Sequence, residues 1–122
     1  MRKAIVIRLM LISMGSVVLG TSALALQSDD CPHPVATIGA LRQCVMHARE
    51  HGHIDNDGIA QSLLAKMDAA EAAFDRGQPA VAINILEAFV EEVEAQAGNH
   101  IEQPEARHLA EHALAVVQAL GQ

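Results

Sequence analysis

Two amphipathic segments decide the fold, and both lie between Gly58 and Gly98: GIAQSLLAKMDAAEAAFDRGQPAVAINILEAFVEEVEAQAG. In the first segment apolar residues recur at spacings of 4, 4, 3 and 4, which is the period of one face of an α-helix. Gly77 separates the segments, and Pro79 is a favoured first-turn residue for the second. The stretch predicts two helices, over about 58–76 and 79–98. Their predicted inward residues are Ile59, Leu63, Met67, Ala70 and Phe74, then Ala82, Ile85, Leu86, Phe89, Val90 and Val93.

Similar patterns flank this pair of segments, and none of them alternates with the period of two that a strand requires. Four helices with short connections predict an all-α, antiparallel four-helix bundle. A three-helix domain with the first helix packed across it is the alternative. The first helix, from Val35 to about His51, is expected to bury Ile38, Leu41, Val45 and Ala48. The fourth helix begins at Gln103, and its expected buried residues are Ala106, Leu109, Ala110, Ala113, Val117 and Leu120.

The first 25 residues have the three parts of a secretory signal peptide. A basic start contains Arg2, Lys3 and Arg8, an apolar run covers residues 9–19, and Ala23-Leu24-Ala25 is a small-residue cleavage pattern. An uncleaved membrane anchor over residues 9–26 is the alternative. We therefore divide the chain into a signal peptide (1–25), an N-terminal arm (26–34) and a helical domain (35–122), and expect a secreted or periplasmic bacterial protein.

Charge and composition exclude several classes of function. The chain of 122 residues has a net charge of −7, and removing the leader takes away three basic residues and no acidic one, so the mature charge is −10. Nucleic-acid binding needs clustered Lys and Arg, so this balance argues against it. Two Phe residues and no Tyr or Trp leave no usual stacking platform for sugars or bases.

Cys31 and Cys44 are the two cysteines of the chain. An even number of cysteines in a short exported protein favours an intramolecular disulfide. Two free thiols or an intermolecular bond are the alternatives. Thirteen residues separate the cysteines and no C-x-x-C is present, which argues against redox catalysis.

One set of residues in the middle of the chain forms a recognisable pattern: Gly52-His53-Ile54, Gly58-Ile59, Ser62-Leu63, Lys66-Met67 and Ala70, then Ala82, Leu86 to Val90, Val93, Ala95 and Gly98-Asn99-His100-Ile101. With these residues the chain resembles the FIMAH-type helical domain of bacterial extracellular proteins, and the similarity extends more weakly over roughly 38–120. Members usually sit as accessory domains at the ends of secreted peptidases, glycosidases and surface proteins. The resemblance implies a non-catalytic extracellular module and supplies no catalytic residue, while the Cys31/Cys44 pair departs from the pattern.

Histidines are the most suggestive candidates for metal binding: His47, His51, His53, His108 and His112. The i, i+4 spacing of His47/His51 and of His108/His112 places two imidazoles on one helix face, a common arrangement in zinc and copper sites. Helical rotation, however, places both pairs well away from the predicted apolar stripes. We therefore expect solvated histidines and no metal or other cofactor, with adventitious or intermolecular metal binding and acid sensing as alternatives.

The segment Asp55-Asn56-Asp57-Gly58 has some features of a calcium-binding loop. In that alignment position one would be His53 and position twelve Leu64, neither of which can supply the required carboxylate. The sequence therefore predicts a turn and a helix N-cap here.

Catalytic patterns are missing from the sequence. Ser62 is the only Ser or Thr in the second to fourth helices, and no nucleophile motif or phosphate loop occurs.

Lys66 should extend along the edge of its apolar stripe. Glu87, Glu91 and Glu94 share one side of the third helix, as a solvated face or as a docking surface for a basic partner.

These features predict an exported, non-enzymatic helical module that binds or organises another extracytoplasmic protein. A metal-binding or pH-responsive periplasmic protein that uses its surface histidines is the alternative function.

Overall fold

A computed structural model describes Cys31 and residues 35–122; the predicted signal peptide lies outside these described residues. Four α-helices follow one another in the chain: Ile38–Glu50 (α1), Asp57–Asp75 (α2), Pro79–Gln96 (α3) and Gln103–Leu120 (α4). Residues 35–122 contain no β-strand. Each helix packs against the next, and α1 also packs against α4, so the four helices form a closed ring. The predicted all-α four-helix bundle is confirmed.

Local sequence signals account for the helix boundaries. The Thr37 side chain accepts a hydrogen bond from the Ala40 amide (3.1 Å) at the start of α1, and the Asn56 side chain accepts one from the Ile59 amide (3.0 Å) at the start of α2. The turn and N-cap predicted for residues 55–58 are therefore confirmed, with Asn56 as the capping residue. A proline in the first turn of α3 and of α4 fits positions whose amides have no partner within the helix.

The core consists of aliphatic side chains around one phenylalanine. Phe89 is fully buried, and so are ten other large side chains, among them Leu41, Leu63, Leu86 and Leu109. Alanines occupy much of the remaining interface, which lets neighbouring helices approach closely. The core therefore joins all four helices through the apolar stripes that the sequence displays.

Phe74 is the exception, because 46% of it is exposed although the spacing predicts an inward position. The buried stripe of α2 is Ala60, Leu63, Met67, Ala70 and Ala73. Its final step is three residues rather than four, so Ala73 takes the inward place. Phe74 follows one residue later, which turns its side chain about 100° around the helix.

Two loops at the same end of the bundle, residues 51–56 and 97–102, are joined through their backbones. We call this contact the loop bridge. The Asp55 amide donates to the His100 carbonyl (3.0 Å), and the Glu102 amide donates to the His53 carbonyl (3.0 Å). Ile54 and Ile101 are nearly fully buried at its centre and form an isolated antiparallel bridge pair. The bridge therefore connects the α1/α2 hairpin to the α3/α4 hairpin.

Each loop of the bridge enters its turn through a glycine that has a positive φ, +84° at Gly52 and +77° at Gly98. L-residues that carry a Cβ rarely adopt this backbone conformation, which is the usual way to end a helix. At Gly98 an added Cβ would also lie 3.1 Å from the Gln103 side chain.

The two phenylalanines offer a matched test of the core. We expect Phe89→Ala to lower the free energy of unfolding by about 3–5 kcal/mol, because it leaves a cavity among fully buried side chains. We expect Phe74→Ala to cost less than about 1 kcal/mol, because much of that ring already contacts water. Urea denaturation followed by circular dichroism measures both values. Equal losses in the two variants would contradict the assigned core.

Candidate functional site

Four residues capable of ligating a metal come together from three parts of the chain; we call them the Cys–His cluster. Cys31 precedes the helices, Cys44 lies in the middle of α1, and His108 and His112 lie one turn apart on α4. One potential ligand atom from each residue lies within 4.8 Å of the other three. The cluster therefore lies in the seam where the first helix packs against the last.

Cys31 and Cys44 form a disulfide bond, and their Cα atoms are 4.9 Å apart. This confirms the predicted intramolecular pairing. The bond attaches the segment before α1 to the middle of that helix, and both cysteines are buried. Closing a loop of this size stabilises a fold by about 3 kcal/mol in the chain-entropy treatment.

Each histidine of the cluster faces one of the disulfide sulfurs. His108 Nε2 lies 2.9 Å from Cys31 Sγ, and His112 Nδ1 lies 3.5 Å from Cys44 Sγ. His112 Nε2 lies 2.9 Å from the Val35 carbonyl oxygen. Because a carbonyl oxygen only accepts, Nε2 carries the hydrogen and donates it. In a neutral imidazole this leaves the Nδ1 lone pair directed at the sulfur.

The expectation that His112 is solvated is wrong, since only 7% of it is exposed. The sequence prediction rests on a single apolar stripe of α4. The buried set of α4 is broader, and it includes Leu109, His112 and Val116, because α4 also contacts α1. His108 lies one turn earlier on this side and is half-buried. One signal was available in the sequence: two cysteines near α1 and an i, i+4 histidine pair near the middle of its neighbour.

The other sequence-predicted histidines lie elsewhere. The rings of His47 and His51 have centroids 4.1 Å apart and are tilted by 37°, and the ring of His53 lies 6.3 Å from that of His51. Among the residues that the structure describes, this trio does not join a group of three or more potential metal ligands. His51 is exposed, whereas His47 and His53 are partly covered.

His53 belongs to the loop bridge, where two imidazole–carboxylate pairs flank the backbone hydrogen bonds. His53 Nδ1 lies 2.8 Å from Glu102 Oε1, and His100 Nδ1 lies 2.9 Å from Asp55 Oδ1. Each pair spans the two loops. Their partial exposure keeps the contribution of each pair to stability within about 1 kcal/mol. This pairing could not be predicted from the sequence, because the partners lie 45 and 49 residues apart.

Asp57, in the segment that has some features of a calcium-binding loop, lies 3.2 Å from the Arg49 guanidinium in an exposed ion pair between α1 and α2. Asp55 pairs with His100 and Asn56 caps α2, so each of the three polar side chains of the segment has a structural contact. The segment therefore serves as a turn with a helix cap.

Ser62 and Lys66 meet Glu92 between α2 and α3. The Lys66 ammonium donates to the Glu92 carboxylate (2.9 Å) and to the Ser62 hydroxyl (3.3 Å), and that hydroxyl donates to the same carboxylate oxygen (2.9 Å). They lie beside a shallow, mostly apolar groove of about 480 Å³. The three side chains therefore join α2 to α3 through one hydrogen-bonded group.

The acidic candidates on α3 behave as predicted for a surface. Glu87, Glu91 and Glu94 are exposed, whereas the adjacent Glu92 turns toward Lys66. Glu94 also borders a second groove, of about 450 Å³, between α3 and α4. The outer face of α3 is therefore an acidic ridge with a groove on each side.

The family model of the FIMAH domain matches residues 38–118, which is most of the chain. The chain therefore belongs to the FIMAH domain family. Searches among curated proteins and among solved structures found no match. The matched region contains α1 to α4 almost completely, together with both loops of the bridge.

Several residues that carry the family resemblance have a structural role. Gly52 and Gly98 allow the turns that form the loop bridge, and Ile54 and Ile101 fill its interior. Cys31 precedes the matched region. The Cys–His cluster therefore joins a residue outside the family match to three residues within it.

Two histidine variants compare the buried site with the surface. We expect His112→Ala to lower the free energy of unfolding by about 1–3 kcal/mol, because it removes a buried hydrogen-bond donor to the Val35 carbonyl. We expect His51→Ala to change it by no more than about 0.5 kcal/mol, because that ring is exposed. Thermal and urea unfolding of the oxidised protein measure both. The assigned position of His112 would be contradicted by a loss no larger than that of His51→Ala.

Proposed function

We propose that this protein is an exported, non-catalytic accessory module that docks onto another extracytoplasmic protein. Membership of the FIMAH domain family is the observation that carries the proposal, because the match covers almost all of the helical bundle and indicates a helical accessory module.

Two observations support export. Residues 1–25 have the composition of a signal peptide, although they lie outside the described residues. The Cys31–Cys44 disulfide is a bond that persists in oxidising compartments and is rare in the cytosol. Among the described helices, none is both long and apolar enough to cross a membrane.

The non-catalytic part of the proposal rests on the state of the candidate nucleophiles and on the character of the grooves. Ser62 is the single hydroxyl side chain of α2 to α4, and its oxygen is engaged by Lys66 and Glu92. The cysteines are joined to each other. The two grooves beside α3 are shallow and mostly apolar, a character that suits contact with another protein.

The acidic ridge of α3 is the docking surface that we propose. Glu87, Glu91 and Glu94 point away from the bundle, and Val81 and Leu114 expose apolar surface in the adjoining grooves. A partner of complementary chemistry presents Lys or Arg residues opposite the ridge and apolar side chains beside them. Such charge complementarity determines the orientation and the rate of association.

Export has a direct consequence for the chain terminus. We expect the protein recovered from the extracytoplasmic fraction to begin at Leu26, because Ala23-Leu24-Ala25 is the predicted cleavage pattern. Intact-mass measurement and N-terminal sequencing of that fraction test this. Recovery of the uncleaved chain in the cytosol would contradict export.

Site-specific photocrosslinking in cells tests the docking surface. A photoreactive residue at position 91 should give one discrete adduct, and the same residue at Glu50 on α1 should not. Glu87→Lys combined with Glu94→Lys should abolish the adduct, because like charges would then face each other. The exposed pair Glu50→Lys and Asp75→Lys is the control, since it changes the net charge equally and should leave the adduct intact. Equal crosslinking from positions 91 and 50, or equal effects of the two double variants, would overturn the proposal.

A further inference from the structure

We propose that the Cys–His cluster is a Cys₂His₂ zinc site that becomes available when the Cys31–Cys44 disulfide is reduced. The first argument for the proposal is the set of ligand residues. Two thiolates and two imidazoles are a standard ligand set for structural zinc, which favours four ligands in a tetrahedron.

The positions of the donors suit one ion. Tetrahedral zinc holds sulfur at about 2.3 Å and nitrogen at about 2.0–2.1 Å, so neighbouring ligand atoms lie about 3.3–3.8 Å apart. The distance of 3.5 Å between His112 Nδ1 and Cys44 Sγ already falls in this range, and His108 Nε2 lies 2.9 Å from Cys31 Sγ. Once the bond between the sulfurs is broken, they can move apart by side-chain rotation to complete the tetrahedron.

A backbone carbonyl already orients one ligand. The Val35 carbonyl accepts a hydrogen bond from His112 Nε2–H and leaves Nδ1 as the donor atom for a metal. Metal-ligating histidines usually make such a bond through their second nitrogen, which fixes the tautomer and the ring orientation. Val35 is adjacent in the chain to α1, so this contact connects both sides of the seam.

Burial gives the cluster the character of a structural site. Cys44 is fully buried, Cys31 and His112 are more than nine-tenths buried, and His108 is half-buried. All four ligands come from the protein, so the site has no open position for a reacting water or substrate. Zinc would therefore hold the seam between α1 and α4 and would not perform catalysis.

Disulfide and zinc exclude each other, because zinc binds thiolates and a disulfide sulfur carries no negative charge. A dithiol reductant donates two electrons and two protons, which cleaves the Cys31–Cys44 bond to two thiols and converts the reductant to its own disulfide. Zinc then displaces the two thiol protons and binds both sulfurs, so that the site is neutral overall. A disulfide oxidant reverses the exchange and releases the ion.

The test is a zinc titration of the protein as the cell produces it, in which a chromogenic chelator competes for the ion and reports how much of it the protein binds. After reduction with a phosphine that does not bind zinc, we expect one zinc per chain, and we expect none in the oxidised protein. Cobalt(II) added to the reduced protein should give the visible absorption of a tetrahedral thiolate complex. Equal zinc binding before and after reduction, or none after reduction, would overturn the proposal.

Variants assign the ligands. His108→Ala should weaken zinc binding at least about tenfold, since it removes a ligand at a half-buried position, and His51→Ala is the matched control that should bind as tightly as the wild type. Cys31→Ser is a second ligand variant outside the helices, so it leaves the bundle able to fold, as circular dichroism will verify. Unchanged zinc affinity in both His108→Ala and Cys31→Ser, or the same loss in His51→Ala, would show that the ion binds elsewhere.

Discussion

The seam between the first helix and the last is the constraint on which the closed bundle depends. Each other pair of neighbouring helices is joined by a short connection, whereas α1 and α4 are held together by contacts between distant residues. Two groups of contacts lie along this seam. The loop bridge closes one end through Ile54 and Ile101, and the Cys–His cluster joins the middle of α1 to the middle of α4.

The loop bridge and the Cys–His cluster differ in their chemistry. The loop bridge uses residues that carry the family resemblance and gives the bundle its shape. The Cys–His cluster includes a cysteine outside the family match, and it contains the chemistry that a change of redox state can alter. The acidic ridge of α3 is on neither side of this seam. The ridge that we propose as a docking surface therefore lies on a helix that is not part of this seam.

Much of the fold could be predicted from the sequence because it depends on local patterns. The helical period, the capping residue Asn56 and the turn glycines set the four helices to within a few residues at each end. Periodicity was less informative about rotation. It placed Phe74 inward, but the buried stripe of α2 ends with a step of three residues to Ala73. It placed His112 outward, but α4 contacts both α1 and α3 and therefore buries a broader stripe than one apolar spacing describes.

Pairings between distant residues could not be predicted from the sequence. The imidazole–carboxylate pairs of the loop bridge and the contact of Lys66 with Glu92 depend on which helices are adjacent and on their register. The disulfide was predicted from the cysteine count alone, but its histidine neighbours lie 68 and 77 residues away along the chain. Only the folded bundle shows that one site contains all four residues.

Hydrogen exchange along α1 tests most directly whether the Cys–His cluster holds the seam. It is measured for the oxidised protein, for the reduced protein without metal and for the reduced protein with zinc. We expect slow exchange over residues 38–50 in the oxidised state, faster exchange after reduction, and slow exchange again with zinc, while exchange in α3 changes much less. Exchange over residues 38–50 that is the same in all three states would contradict it.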